Sequence, residues 1–461
     1  MTIHFTTLRD WLDWQEGLHH QVIDLGLERV ATVFRALIPT GINAPVITVA
    51  GTNGKGSCIA MLESIYRAQG YRVGAYTSPH ILRYNERIRI NGEPVADEPI
   101  IAAFKRIEAC RNGVSLSYFE FSTLAALDIF CSAHLDVLLL EVGLGGRLDA
   151  VNIVDPDVAI ISSIDIDHAE WLGDTREAIA VEKAGIFRAH KPAIVGDPDP
   201  PCSLLAVALE KQADLLLLGR AFHYQRHTHA WDWQWSEYQH NGLPFPALKG
   251  SHQFRNAAAV LTAVHQLQSS LPITTSAIHQ GLSGVQLKGR FQLINASVPV
   301  LLDVGHNPQA VKTLYEYVHD VFPHKRIHAV FAMMKDKDIK AVIDIMSPLI
   351  YDWTLAPLQN QRAASSELLL DLFAQAKITA VRGNFANFTA AIQQVEHNAQ
   401  PEDLILVFGS FFLVSAYLAE YEHDGVAEVG MLTTTQTEQL NNGVQGSSPG
   451  SQECAEEVPC R

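Results

Sequence analysis

The 461-residue sequence predicts an α/β protein, a parallel-sheet domain followed by a smaller Rossmann-like α/β C-terminal domain. Three observations carry that reading. Short apolar runs stop abruptly at Gly, Ser, Asp or His, helical stretches lie between them, and the whole pattern restarts after residue 285. Apolar runs without alternation fit strands buried on both faces, as a parallel sheet requires. Strand alternating with helix means α/β, and such sheets bind ligands beyond the carboxyl ends of their strands.

Taken in order, residues 45–50 end at Gly51, and residues 72–76 end at Thr77-Ser78-Pro79. Residues 135–140 end at Glu141, and residues 158–163 lead to Asp165 and His168. Helices are expected at 57–69, closed by Gly70, at 118–133, and at 175–181. Trp231, Trp233 and Trp235 alternate with polar residues, which is strand periodicity. That hairpin either packs its Trp face on the domain or offers a platform to a ring-shaped ligand. The nearby His227 and His229 lack a third ligand in range for a metal. In the second half, residues 299–302 end at Asp303, residues 327–332 precede the polar segment 335–338, and residues 404–408 end at Gly409-Ser410. Gly281, Gly284 and Lys288-Gly289-Arg290 mark a hinge, so the domains are expected at 1–284 and 285–424. Residues 425–461, acidic and rich in Thr, Gln, Asn, Gly and Ser, read as a disordered tail.

Composition narrows the function. Apolar residues make up 48% and the mean hydropathy is +0.06, enough for buried cores. The formal charge of −16 argues against binding to nucleic acid or an anionic membrane, both of which need a basic surface. An anionic small substrate stays possible, because a few cations in one cleft suffice. The six cysteines form no CxxC pair, which suits reduced thiols. The N-terminus lacks the charged and apolar regions of a signal peptide, and the apolar run 404–419 is too short and too broken by Gly409, Ser410 and Ser415 for a membrane span. A soluble, cytoplasmic protein is expected.

Gly51-Thr52-Asn53-Gly54-Lys55-Gly56-Ser57 lies between a buried strand and a helix. Glycines let backbone N–H groups turn around phosphate, the helix N-terminus adds its positive end, and Lys55 adds a charge. The spacing departs from GxxxxGK[ST], since two residues separate Gly51 from Gly54-Lys55 and Gly56 is inserted before the hydroxyl. The first domain therefore reads as a phosphate-loop ATPase domain. Glu141 sits where such ATPases place a magnesium-binding carboxylate, although an acid at a strand end can also be a solvated rim residue. His168 is a second metal candidate on the same edge, or a hydrogen-bonded loop histidine.

The loop 51–57 resembles the folylpolyglutamate synthase family when taken with Thr77-Ser78-Pro79-His80, Glu141-Val-Gly-Leu-Gly-Gly-Arg-Leu-Asp149, residues 165–168 and Glu182-Lys183-Ala184-Gly185-Ile186. Gly289-Arg290-Phe291, Asp303-Val-Gly-His306-Asn307-Pro308 and Phe408-Gly-Ser410 extend the match over roughly residues 15–420. The resemblance implies an ATP-dependent ligase joining L-glutamate to dihydropteroate and to reduced folates through an acyl phosphate. It places Thr52, Asn53, Gly54 and Lys55 on the phosphates and magnesium on Ser78, Glu141 and His168. It implies that Asn256, Arg290 and Asp303 reach ATP. The pterin-bearing substrate would lie against Asp24, Leu25, Tyr118, Phe119, Glu120, Leu148, Asp149 and Ala150, with His306 and Ser410 toward glutamate. Lys183 matches a lysine that is typically carbamylated, and the family implies a monomer.

Each assignment has a plainer rival. Tyr118 and Phe119 could be core aromatics, Asp24 and Ser410 helix caps, His306 a turn residue, and Lys183 a solvated cation. Ser57 would be the metal hydroxyl by generic phosphate-loop logic, but the inserted Gly56 favours Ser78. Two other functions compete. A cell-wall peptide ligase of the same superfamily usually begins with a sugar-nucleotide domain, for which Gly51 leaves no room. A nucleotide-gated interaction protein of the GTPase kind would need an Asn-Lys-x-Asp motif, which does not occur.

Overall fold

The computed structural model describes residues 5–21 and 23–423. The expected tail, 425–461, lies outside the described residues. Strands β1 (Val46–Ala50), β2 (Val73–Tyr76), β3 (Ile88–Ile90), β4 (Glu93–Pro94), β5 (Val137–Glu141), β6 (Val158–Ile161), β7 (Pro192–Val195) and β8 (Asp214–Leu217) form one sheet. Its order is β4-β3-β2-β5-β1-β6-β7-β8, parallel except for β3 and β4 at one edge. Strands β1 and β5 are buried at every residue, which is why they show no alternation.

A three-stranded antiparallel sheet follows, from β9 (Phe222–Arg226), β10 (Trp231–Trp235) and β11 (Tyr238–Leu243). The expected Trp hairpin is β10 with its neighbours, and its aromatic face is turned inward. Trp231 and Trp233 are buried, and the Trp233 indole N–H donates to Ala258 O at 3.1 Å. That bond pins the hairpin to the helix His252–Gln266, which carries Asn256 into the site. Truncating such a buried Trp costs about 3–5 kcal/mol. His227 is used locally, its Nε2 lying 2.7 Å from Asp232.

The second sheet comprises β12 (Gln292–Ile294), β13 (Val300–Asp303), β14 (Ile327–Phe331), β15 (Ile350–Leu355), β16 (Val381–Arg382) and β17 (Leu404–Phe408). Its order is β12-β13-β17-β14-β15-β16, with β12 alone antiparallel. Each sheet has its own buried clusters, Leu139 and Ile160 among those of the first, Leu301 and Phe331 among those of the second.

The helix expected at 118–133 ends at Ser132 with Ala133 as its cap, and two other helices differ more from the sequence reading. The helix after the phosphate loop starts at Lys55 rather than residue 57, because Gly54 adopts a left-handed conformation and lets the helix begin at once. The helix expected at 175–181 runs Arg176–Ala184 with Thr175 as its cap, so Lys183 belongs to it.

Candidate active site

Four neighbouring strands bring their carboxyl ends together. The phosphate loop follows β1, Ser78 follows β2, Glu141 ends β5, and residues 162–168 follow β6. Opposite them, β13 ends at Asp303, β17 leads to Ser410, and β14 leads to Lys337. Between the two edges lies a cavity of about 400 Å³, lined from both sheets.

The loop can be built only with glycine at two positions. Gly51 has φ +148°, and a Cβ there would lie 2.0 Å from Ser162 Oγ. Gly54 has φ +90°, and its Cβ would meet Asn256 Oδ1 at 2.8 Å. The segment after β6 braces the loop: Thr52 N–H donates to Ser163 O at 2.8 Å, and Asp165 N–H donates to Thr52 Oγ1 at 3.0 Å. Lys55 Nζ donates to the Gly51 and Thr52 carbonyls at 2.9 and 3.2 Å. Ser57 is buried and accepts from Gln253 Nε2 at 3.3 Å.

Electrostatically, the site holds charges without enough partners. Burial pushes the Glu141 carboxyl up, and Lys55, the Ser78 N–H and Arg290 only partly oppose it. Burial also raises Asp303 to about 6, against Arg290 and the Gly305 and Phe291 amides. Lys183 is lowered to about 7 by burial and by the neighbouring Lys55 charge. Among the described residues the Lys183 side chain makes no hydrogen bond or ion pair. Asp167 is the exception: burial pushes it up, but His306 and Lys337 hold it far below the usual carboxylate range.

Every residue expected on the phosphates, the metal or the glutamate side lines this cavity. Ser78, Glu141 and His168 offer a hydroxyl, a carboxylate and an imidazole that burial keeps neutral, its pKa lowered to about 4. That donor set suits a hard divalent cation beside phosphate. Among the described residues no three His, Cys, Asp or Glu side chains are arranged to hold a metal by themselves, so phosphate oxygens would complete the shell. Asn256 is buried and linked to Gln253, and Arg290 lies over the Phe411 ring at 5.0 Å. His306 Nδ1 is 2.9 Å from Val304 O. Ser410 is both cavity wall and helix cap, its Oγ accepting from Leu413 N–H at 3.1 Å.

The residues expected around the pterin form a separate group that does not line the cavity. Asp24 is no helix cap; the nearby helix Glu28–Leu37 starts after Leu27. Instead Asp24 Oδ2 meets Arg29 at 2.8 Å and His19 Nε2 at 3.0 Å, and Arg29 also reaches Glu120 at 3.1 Å. Glu120 closes a capping box with Ser117. Leu25, Leu148, Tyr118 and Phe119 are half-buried, and Ala150 is buried. Phe119 joins the two groups, since a Cβ on Gly143, a cavity residue, would lie 2.6 Å from its ring. Asp149 is committed to the backbone, accepting from Leu144 and Val151 N–H at 2.8 and 3.0 Å, and burial raises it to about 6.

Sequence reasoning assigned no role to Asp167, Gln309 or Lys337, which line the cavity, or to Asn307, which is bonded to the cavity residues Asn53 and Asp167. Asp167 and Asn307 stood inside quoted motifs, and Lys337 stood in the polar segment after β14. What made them significant, contact between domains, has no sequence signature.

The chain matches the Mur ligase middle domain over residues 49–264 and the Mur ligase glutamate ligase domain over residues 289–411. It is 43% identical to the dihydrofolate synthase/folylpolyglutamate synthase of Escherichia coli K12 over 411 residues, 88% of this chain and 94% of that one. The Haemophilus influenzae protein of the same description is 40% identical over 437 residues, 90% of this chain and 98% of that one. Among solved structures, Escherichia coli FolC in complex with DHPP and ADP superimposes with a TM-score of 0.86 at 41% identity, covering 91% of this chain and 99% of that one. A bifunctional folylpolyglutamate synthase/dihydrofolate synthase with Mn, AMPPNP and L-glutamate bound gives 0.84 at 42% identity, covering 92% and 100%. The chain belongs to the dihydrofolate synthase/folylpolyglutamate synthase family.

Proposed function

We infer that this chain is an ATP-dependent carboxylate–amine ligase that joins L-glutamate to dihydropteroate, giving dihydrofolate, and to reduced folates, giving folylpolyglutamates. The observation that carries the reading is the single cavity shared by a phosphate loop on one sheet and Asp303, His306 and Ser410 on the other. ATP is the co-substrate and a divalent cation, ordinarily magnesium, accompanies it.

A carboxylate resists attack by an amine because oxide would have to leave. Transfer of the γ-phosphoryl group to the substrate carboxylate gives an acyl phosphate and ADP. The glutamate amine then attacks the carbonyl carbon, loses a proton, and expels phosphate. Lys55, with Thr52 and Gly54, holds the phosphates and spreads the charge of the group in flight. Ser78, Glu141 and His168 would hold the cation, which when bound supplies charge neutralisation at the phosphates. Asn256, Arg290 and Asp303 hold the nucleotide, and His306 and Ser410 orient glutamate. The pterin end is read by Asp24, Leu25, Tyr118, Phe119, Glu120, Leu148, Asp149 and Ala150. Asp24 suits recognition of ring N–H donors, because Arg29 and His19 already fix its Oδ2. Excluding water from the shared cavity protects the acyl phosphate.

Lys183 belongs to the same proposal as a carbamate. Its neutral amine adds carbon dioxide and loses a proton, turning a cation into an anion with two oxygen ligands for a second cation. Full burial and a pKa near 7 favour the reactive amine. The division of the chain at 284/285 into nucleotide-side and glutamate-side units is supported by the sheets, the first ending at Leu217 and the second beginning at Gln292. We take the protein to work as a cytoplasmic monomer; no helix among the described residues is long and apolar enough to cross a membrane.

The test is phosphate release from ATP and magnesium, with dihydropteroate and tetrahydrofolate offered separately, with and without glutamate. Release that needs both a pterin acid and glutamate is expected. Release independent of glutamate would replace the ligase by a nucleotide-gated switch.

A further inference from the structure

The main chain of Asn53, within the phosphate loop, is fully engaged by the segment after β6: its N–H donates to Ser163 Oγ at 3.1 Å, and its carbonyl accepts from Ser162 Oγ at 2.7 Å. Its side chain turns to the other domain. There it pairs reciprocally with Asn307, Asn53 Nδ2 donating to Asn307 Oδ1 and Asn307 Nδ2 to Asn53 Oδ1, both at 3.1 Å. The second Asn53 amide hydrogen goes to Gln309 Oε1 at 2.7 Å. Asn307 is 2% exposed, caps the helix Pro308–Val321 through Ala310 N–H, and gives its other hydrogen to Asp167 Oδ2 at 3.1 Å. The remaining oxygen of Asp167 binds Lys337 Nζ, with side-chain exposures of only 9% and 7%.

One network therefore runs from the phosphate loop through Asn307 and Asp167 to Lys337, crossing between domains at each step. A buried ion pair is a weak source of stability, because desolvation offsets most of the attraction. Its geometric demand is strict, however, and here both partners are correctly placed only when the domains are joined.

We propose that Asn307, Gln309 and Lys337 are positioning residues that latch the glutamate-side domain to the phosphate loop and the Asp167 segment, so that phosphoryl transfer is competent only in the joined arrangement. The proposal rests on the ligase reading and deepens it. It assigns the Asn53 side chain to coupling rather than to phosphate contact. Its functional logic is timing: an acyl phosphate formed in an open site would be lost to water, and tying the loop to the second domain prevents its formation there.

The test is a double-mutant cycle between Asn53→Ala and Asn307→Ser, where serine keeps the helix cap. Each single change is expected to lower kcat about tenfold, with the double within about threefold of the worse single, since both remove the same link. A single Asn307→Ser loss below threefold, or any larger loss in the double, overturns the proposal. Should Asn307→Ser fail to fold, Gln309→Ala takes its place in the cycle. A second arm uses no substrate: Gln309→Ala combined with Lys337→Met should raise the radius of gyration by small-angle scattering, and an unchanged value overturns the latch. If the wild type shows no glutamate-dependent phosphate release, the ligase reading falls while this arm still decides the latch.

Discussion

Two sheet edges bury charge in opposite ways. At the carboxyl edge of the first sheet, Lys183 stands without a partner, and Glu141 is pushed toward its neutral form. At the amino edge of the second sheet, His328 is enclosed by two carboxylates, Asp352 at 2.8 Å from Nδ1 and Asp403 at 3.1 Å from Nε2. Arg326 grips Asp403 with two bonds, at 2.9 and 3.1 Å. Both ring nitrogens of His328 face acceptors, so the imidazole is held as a cation, with the Asp352 bond the largest cause of its raised pKa. Complete pairing marks a structural cluster, while unmatched buried charge marks a site waiting for ligands.

The largest effect should fall on the unmatched edge. Lys55→Ala is expected to lower kcat for glutamate-dependent phosphate release by about 10³-fold, the scale of losing a charged donor to a transferring group. Retention of more than a tenth of wild-type turnover at saturating ATP would remove Lys55 from the phosphates.

Lys183 offers a sharper contrast. Lys183→Ala should lose about 10²-fold in kcat, partly restored by formate or acetate, which supply the missing carboxylate oxygens. Its pKa near 7 gives the sign of the pH effect. The free amine grows from about a tenth at pH 6 to about nine tenths at pH 8, so carbamate loading at fixed carbon dioxide rises with pH. Without added carbon dioxide, Lys183→Met should meanwhile unfold at an equal or higher denaturant concentration, because it removes a buried amine whose side chain has no hydrogen-bond partner. Full activity in Lys183→Ala, or a clear loss of stability in Lys183→Met, would break the comparison.

The legible and illegible parts of this molecule divide along the same physical line. Strands β1 and β5 could be read because burial on both faces removes alternation, and the residues that end them fall on the ligand edge whatever the strand order. The phosphate loop could be read because Gly51 and Gly54 answer local backbone demands. Contacts between domains could not: Asn53 and Asn307 are 254 positions apart, and Asp167 and Lys337 are 170 apart. Sequence order does not encode which strand edges will face each other. Ser410 shows a third case, where helix cap and site residue were posed as alternatives and the structure gives one hydroxyl both positions.

His328→Leu tests the matched edge. Breaking a buried pair costs about 3–5 kcal/mol, so a large loss of stability in denaturant is expected with kcat unchanged wherever the variant is folded. The pH dependence of that loss follows from the same group. A histidine whose folded pKa is raised contributes fully below its unfolded value of about 6.5 and loses that contribution as pH rises through the higher folded value. Asp403 acts in reverse. Burial pushes its carboxyl up, but the Gln400 amide, Arg326 and His328 leave it low, so its contribution is lost as pH falls through the folded pKa. The stability difference between wild type and His328→Leu should therefore shrink as pH rises from 6 to 9, and a difference that grows over that range would contradict the assignment of His328 as a cation.

The smallest expected effect separates the two ends of the matched cluster. The Arg326 side chain is 49% exposed, whereas that of Asp403 is 1% exposed. Solvent screens the arginine, and its loss leaves Asp403 still bound by His328 and by the Gln400 N–H at 2.8 Å. Arg326→Met, which keeps the apolar stem but removes the guanidinium lying over the Tyr351 ring, should therefore cost far less in chemical denaturation than His328→Leu. A loss as large as that of His328→Leu would mean that Asp403 depends on the exposed arginine for its compensation. The cluster would then be an open, salt-sensitive pair, and the contrast between a sealed structural edge and a ligand-ready one would fail on its structural side.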